Sequence, residues 1–155
     1  MMKLLLINKK VIKMGQILED YVEFKIKKYK KLDKNIICLT YLKETLTIND
    51  DLLKLFIKKY AKVITENPES FLIIEARNIK NIDFNNILDK IDVFKKLDKI
   101  VEKYIYCIVY LINNTIFKNM GNTIIKMYPP VVPVRICDEN NEAIKFFENV
   151  YTKNK

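Results

Sequence analysis

The sequence predicts an α/β fold built on a mixed, mainly parallel β-sheet. Two short apolar runs, at residues 71–76 and 104–112, flank a segment whose apolar residues recur at helical spacing between Ile87 and Val101. This order is typical of a β-α-β unit with parallel strands that are buried on both faces. A second observation is the alternation of apolar and charged residues from Val22 to Lys27, which predicts a half-exposed strand.

The first half of the chain predicts a β-hairpin followed by a helix. The hairpin spans residues 20–43, although its first run also fits a helical pattern. Apolar residues at helical spacing between Leu52 and Ile64 predict the helix, and Thr47 or Asn49 is its expected N-cap. The sequence of residues 1–19 is compatible with both a short edge strand and a helix.

The last third of the chain predicts a helix, a strand and a final helix. Thr115 is the expected N-cap of the first helix, which ends at Tyr128-Pro129-Pro130. Residues 131–137 form the strand, and Pro133 places it at or near a sheet edge. Asp138 is the expected cap of the final helix.

These elements give about five strands and four helices. We expect one domain over residues 1–155, with 1–19 as an N-terminal extension and 20–150 as the core. The predicted buried residues are Phe24, Ile26, Leu53, Phe56, Ile73, Leu88, Phe94, Ile108, Leu111, Phe117, Ile136 and Phe147.

Hydrophobicity and cysteine content indicate a cytoplasmic location. The longest apolar run has about nine residues, whereas a membrane-spanning helix needs about 20, so no membrane insertion is expected. The chain start lacks a signal-peptide core. The three cysteines lie in apolar runs and are expected as buried free thiols. Abundant Ile, Lys and Asn indicate an A/T-rich genome, such as that of a large DNA virus or a protist. A viral source would place the protein in the host-cell cytoplasm or the virion.

The net charge of +9 has two interpretations. It is typical of a protein that binds nucleic acid. However, only Arg77 and Arg135 are arginines, so drift toward lysine codons also explains the charge. A nucleic-acid surface is expected to use more arginine for bidentate contacts. The sequence leaves the choice open.

The residue types expected of a catalytic or cofactor site are missing. The chain has no histidine, and its glycines are Gly15 and Gly121, so it contains no P-loop or dinucleotide fingerprint. Asp83 is a lone carboxylate ahead of a helix, which favours N-cap duty. We therefore expect no enzyme activity, no metal site and no cofactor.

Polar residues follow the apolar runs of the β-α-β unit. The carboxyl ends of parallel strands form the usual ligand edge of an open α/β sheet, and amides beside a helix N-terminus can bind an anion or a carbonyl. Asparagine is also an ordinary cap and turn residue. The candidate partner-binding residues are Asn81, Asp83, Asn85, Asn86, Asn113 and Asn114.

The pattern from about residue 20 to 150 resembles a known family. Residues 72–83 contain an apolar strand, an acidic position, a short connection and the pair Ile82-Asp83 at a helix start. This resembles the STAS domain of anti-sigma factor antagonists and sulfate-transporter tails. Residues 111–136, followed by Glu142-Ala143, are similar to the last third of STAS-like and CRAL-TRIO-like proteins.

The resemblance implies a non-catalytic module that binds another protein. Phosphorylated antagonists carry a serine directly after the Ile-Asp pair, whereas Phe84-Asn85-Asn86 follow it here, so their phosphorylation switch is not implied. The alternative is a CRAL-TRIO-like carrier of a small ligand or lipid, which requires a large apolar cavity. A basic nucleic-acid-binding protein is the third interpretation. The identity of the partner and the oligomeric state stay open.

Overall fold

The computed structural model describes Met2 and residues 18–153. The strands are β1 (Val22–Tyr29), β2 (Lys34–Tyr41), β3 (Thr45–Leu46), β4 (Ser70–Glu75), β5 (Asn81–Ile82), β6 (Ile105–Leu111) and β7 (Val134–Cys137). The helices are α1 (Asp50–Glu66), α2 (Phe84–Phe94), α3 (Asp98–Tyr104), α4 (Thr115–Met127) and α5 (Asn140–Lys153), with a 3-10 turn (Lys95–Leu97) between α2 and α3. Apart from Met2 and residues 18–19, the N-terminal extension lies outside the described residues.

Five of the described strands form the main sheet in the order β1-β2-β4-β6-β7. The β1–β2 hairpin is antiparallel, and the β2–β4, β4–β6 and β6–β7 pairs are parallel. Strands β3 and β5 form a separate parallel pair. The predicted α/β fold, the hairpin and the edge position of β7 are confirmed.

The segment from α2 to α3 divides where one helix was expected. Ile91, Leu97 and Val101 are all buried. In an unbroken α-helix Ile91 and Leu97 would point about 120° apart, since each residue turns the chain by about 100°. The 3-10 turn changes this angle, so both side chains reach the core.

Each face of the sheet carries its own core. Ile37, Ile64 and Leu72 belong to the cluster on the side of α1 and α3. Phe71 and Phe147 belong to the cluster under α5, with ring centroids 4.7 Å apart. The neighbours Phe71 and Leu72 point to opposite faces and are both fully buried, as expected for a central parallel strand.

Three local predictions are wrong. Ile26 is 44% exposed, because β1 lies at the edge of the sheet formed by the described strands. The N-cap of α4 is Asn114 rather than Thr115, since the Asn114 Oδ1 accepts from the N–H groups of Ile116 and Phe117 at 2.9 and 3.1 Å. The Asp138 carboxylate pairs with Lys118 instead of capping the last helix.

Candidate functional site

Three of the predicted partner-binding residues hold the backbone of their own chain. Asp83 caps α2 by accepting from the Asn86 N–H at 3.1 Å. The Asn86 side chain accepts from the Ile48 N–H and donates to the Ile48 carbonyl, each at 2.9 Å. Asn114 caps α4 as described. These groups are therefore already committed to intramolecular hydrogen bonds.

The other three predicted residues are exposed. Asn81 lies in β5, and its backbone N–H donates to the Glu44 carbonyl at 3.0 Å. Asn85 lies in the first turn of α2, and Asn113 follows β6. Among the residues that the structure describes, no hydrogen bond or ion pair joins segment 81–86 to Asn113 or Asn114.

The carboxyl ends of β4, β6 and β7 do meet at one sheet edge. The Ala76 N–H donates to the Leu111 carbonyl at 3.0 Å, and the Ile112 N–H donates to the Cys137 carbonyl at 2.9 Å. Arg77 and Asn113 therefore follow neighbouring strands, as the sequence predicts. Asn81 belongs instead to the small β3–β5 sheet, and Asp83, Asn85 and Asn86 lie at the start of α2.

A charged pair occupies this edge. Arg77 donates to the Glu75 carboxylate through Nε at 2.9 Å and through Nη2 at 2.6 Å, and its Nη1 donates to the Asp138 carbonyl at 3.3 Å. Burial acts to raise the pKa of Glu75, but the hydrogen bonds and the charge of Arg77 outweigh it and lower that pKa. All three nitrogens of the Arg77 guanidinium therefore donate hydrogen bonds to groups of the same chain.

A large apolar cavity lies on the opposite side of the sheet from α5. Its volume is about 460 Å³, and it extends between the sheet, helices α1, α2 and α4, and the segment after α4. Its walls are mostly aliphatic and aromatic, and they include Phe56 and Tyr60 of α1, Phe94 of α2, Tyr110 of β6, and Phe117 and Ile124 of α4.

Helix α4 covers part of the cavity without sealing it. None of its side chains is fully buried, and its outer face exposes Ile116 and Met127. A Cβ on Gly121 would lie only 2.8 Å from Ile136 Cδ1, so the glycine permits close approach of the helix to β7. The helical spacing of apolar residues predicts α4 itself. It does not predict the cavity beneath the helix.

The described residues contain no group of three or more His, Cys, Asp or Glu side chains arranged to hold a metal ion. Burial raises the pKa of the Cys107 thiol to about 12, which makes it a poor nucleophile. In this same part of the chain, no helix has the length and hydrophobicity that crossing a bilayer requires.

The chain matches no protein-family model, no curated protein and no solved structure. The resemblance to STAS-like and CRAL-TRIO-like domains therefore stays a prediction.

Proposed function

We propose that this domain binds a small apolar molecule in the cavity between the sheet and helices α1, α2 and α4. The observation that carries the proposal is the apolar cavity of about 460 Å³. Ligand pockets usually measure about 300–1,000 Å³ and have mainly apolar walls. The volume is about three times that of the ~150 Å³ apolar cavity that accommodates benzene in an engineered protein.

The apolar walls of the cavity favour an apolar occupant. Water gains little in an apolar space, because it needs two to four polar partners. An apolar ligand would replace the missing contacts.

Binding of the neutral fluorescent probe N-phenyl-1-naphthylamine tests this proposal. We expect saturable binding at one site, and we expect Ala76→Leu to weaken it because Ala76 lines the cavity. Ala61→Leu is the matched control, since Ala61 is half-buried on α1 but outside the cavity lining. Absence of saturable binding, or equal affinity in Ala76→Leu and the wild type, would argue against the cavity as a ligand site.

A protein partner is the second candidate. The side-chain amides of Asn81, Asn85 and Asn113 are exposed, and none has a hydrogen-bond partner among the described residues. A partner carbonyl or carboxylate can pair with them. Replacing Asn85 and Asn113 with lysine should abolish capture of such a partner without loss of stability, because surface changes usually cost within about 0.5 kcal/mol. Asn86 does not suit this test, since it holds Ile48.

Nucleic-acid binding is the third candidate, and the net charge of +9 supports it. If the charge reflects composition alone, binding to duplex DNA should be weak and vanish near physiological salt. Specific binding that persists at about 200 mM salt would favour a nucleic-acid partner.

A further inference from the structure

Five tyrosines line the cavity, and among the described residues four of them have no hydrogen-bond partner for the hydroxyl group: Tyr21, Tyr60, Tyr110 and Tyr128. Tyr60 is the most deeply buried of the four, and Tyr110 is the tyrosine that acts on it electrostatically. Tyr60 on α1 is only 7% exposed, and Tyr110 on β6 is half-buried. By contrast, the hydroxyl of Tyr41, which also lines the cavity, donates to the Thr45 carbonyl at 2.8 Å. Buried tyrosine hydroxyls normally have a partner, so this pair requires an explanation.

The Tyr60 hydroxyl is open to the cavity rather than sealed in the core. Every side-chain nitrogen or oxygen that is inaccessible within the described residues has a hydrogen-bond partner. The Tyr60 hydroxyl has no partner among the described residues, so it is not completely enclosed. Because the rest of this side chain is packed among α1, the sheet and Phe56, the access is from the cavity.

The cavity that Tyr60 and Tyr110 line also contains a carboxylate. Asp98 of α3 lines the same cavity and has no ion-pair partner among the described residues. Burial, then Tyr110, then Asp98 raise the pKa of Tyr60, and burial raises that of Tyr110. Both hydroxyls therefore stay protonated and can donate. Lys95, the other charged residue of the described lining, holds its Nζ 4.6 Å from the Tyr128 ring centroid.

We propose that the ligand is a neutral apolar molecule with one alcohol or carbonyl group, which Tyr60 and Tyr110 bind through hydrogen bonds. This inference rests on the proposed function, because it names the class of molecule that the cavity takes. A ligand oxygen would accept from the tyrosine hydroxyls and complete their hydrogen bonding. A carboxylate ligand would bind more weakly, since bringing a second negative charge close to Asp98 in an apolar site is unfavourable.

Displacement of N-phenyl-1-naphthylamine by two ligands of equal chain length tests this inference. We expect 1-decanol to displace the probe at a lower concentration than decanoate. Tyr60→Phe and Tyr110→Phe should each weaken 1-decanol binding roughly threefold to tenfold, the range that one neutral hydrogen bond supplies. Their affinity for the probe, which has no alcohol or carbonyl group, should change less than their affinity for 1-decanol. Tyr104→Phe, outside the cavity lining, is the matched control.

The outcomes separate this inference from the proposed function. If the probe binds but decanoate competes as well as 1-decanol, or if both Tyr→Phe variants bind 1-decanol like the wild type, the ligand class is wrong and the cavity remains a binding site. If neither the probe nor 1-decanol binds to wild-type protein with an intact near-ultraviolet circular dichroism spectrum, both proposals fail.

Discussion

Replacing Ala76 with leucine should stabilise the protein if the cavity exists in solution. The change adds three carbon atoms at a position that lines the cavity. Burial contributes about 0.8 kcal/mol per carbon, or about 2.4 kcal/mol, and ordering the side chain costs about 0.5–1 kcal/mol. We therefore expect a gain of about 1.5–2 kcal/mol. At about 2–4 °C per kcal/mol for a chain of this size, Tm should rise by roughly 3–8 °C.

The sign of this change distinguishes a cavity from a packed core. In a tightly packed site the same substitution would cost about 1–3 kcal/mol through strain. Urea unfolding followed by circular dichroism measures the difference, and an unchanged m-value would show that only stability has changed. Ala61→Leu, with no cavity to fill, should give no comparable gain. A loss of 1 kcal/mol or more in Ala76→Leu would refute the reasoning.

Four further predictions concern the structural residues. Asp83→Ala should cost about 1 kcal/mol in urea unfolding through loss of the α2 cap, and a smaller effect than Asn85→Lys would contradict the cap. Asn86→Ala should cost about 1–3 kcal/mol, because it leaves both polar groups of the Ile48 backbone without their partner. Against the opposing effect of burial, pairing with Arg77 lowers the pKa of Glu75 below its ordinary value of 4.5. The pair therefore stabilises the protein above pH 4.5, and this contribution is lost as the pH falls through the folded-state pKa. The stability difference between wild type and Glu75→Gln should therefore shrink below pH 4.5. Cys107 should react with Ellman's reagent only after unfolding, and rapid labelling in native buffer would show that its strand opens.

Part of the local arrangement at the strand ends could be predicted from the sequence. The meeting of the β4 and β6 ends followed from their parallel arrangement, which places Arg77 and Asn113 at one edge. The capping role of Asp83 followed from its position before an apolar helical pattern. The hydrogen bonds between the Asn86 side chain and the Ile48 backbone could not be predicted, because the two residues are 38 positions apart. These bonds depend on the pairing of β3 with β5.

The sequence by itself determined the order and type of the main elements. Apolar runs, alternation and helical spacing are local patterns, and backbone geometry converts them directly into strands and helices. Only the tertiary structure decided where helices α2 and α3 divide, that Asn114 caps α4, and that a cavity lies under α4. The volume of the cavity depends on how closely α1, β6 and α4 pack against one another. These elements are far apart in the sequence, so no local sequence pattern predicts the spacing between them.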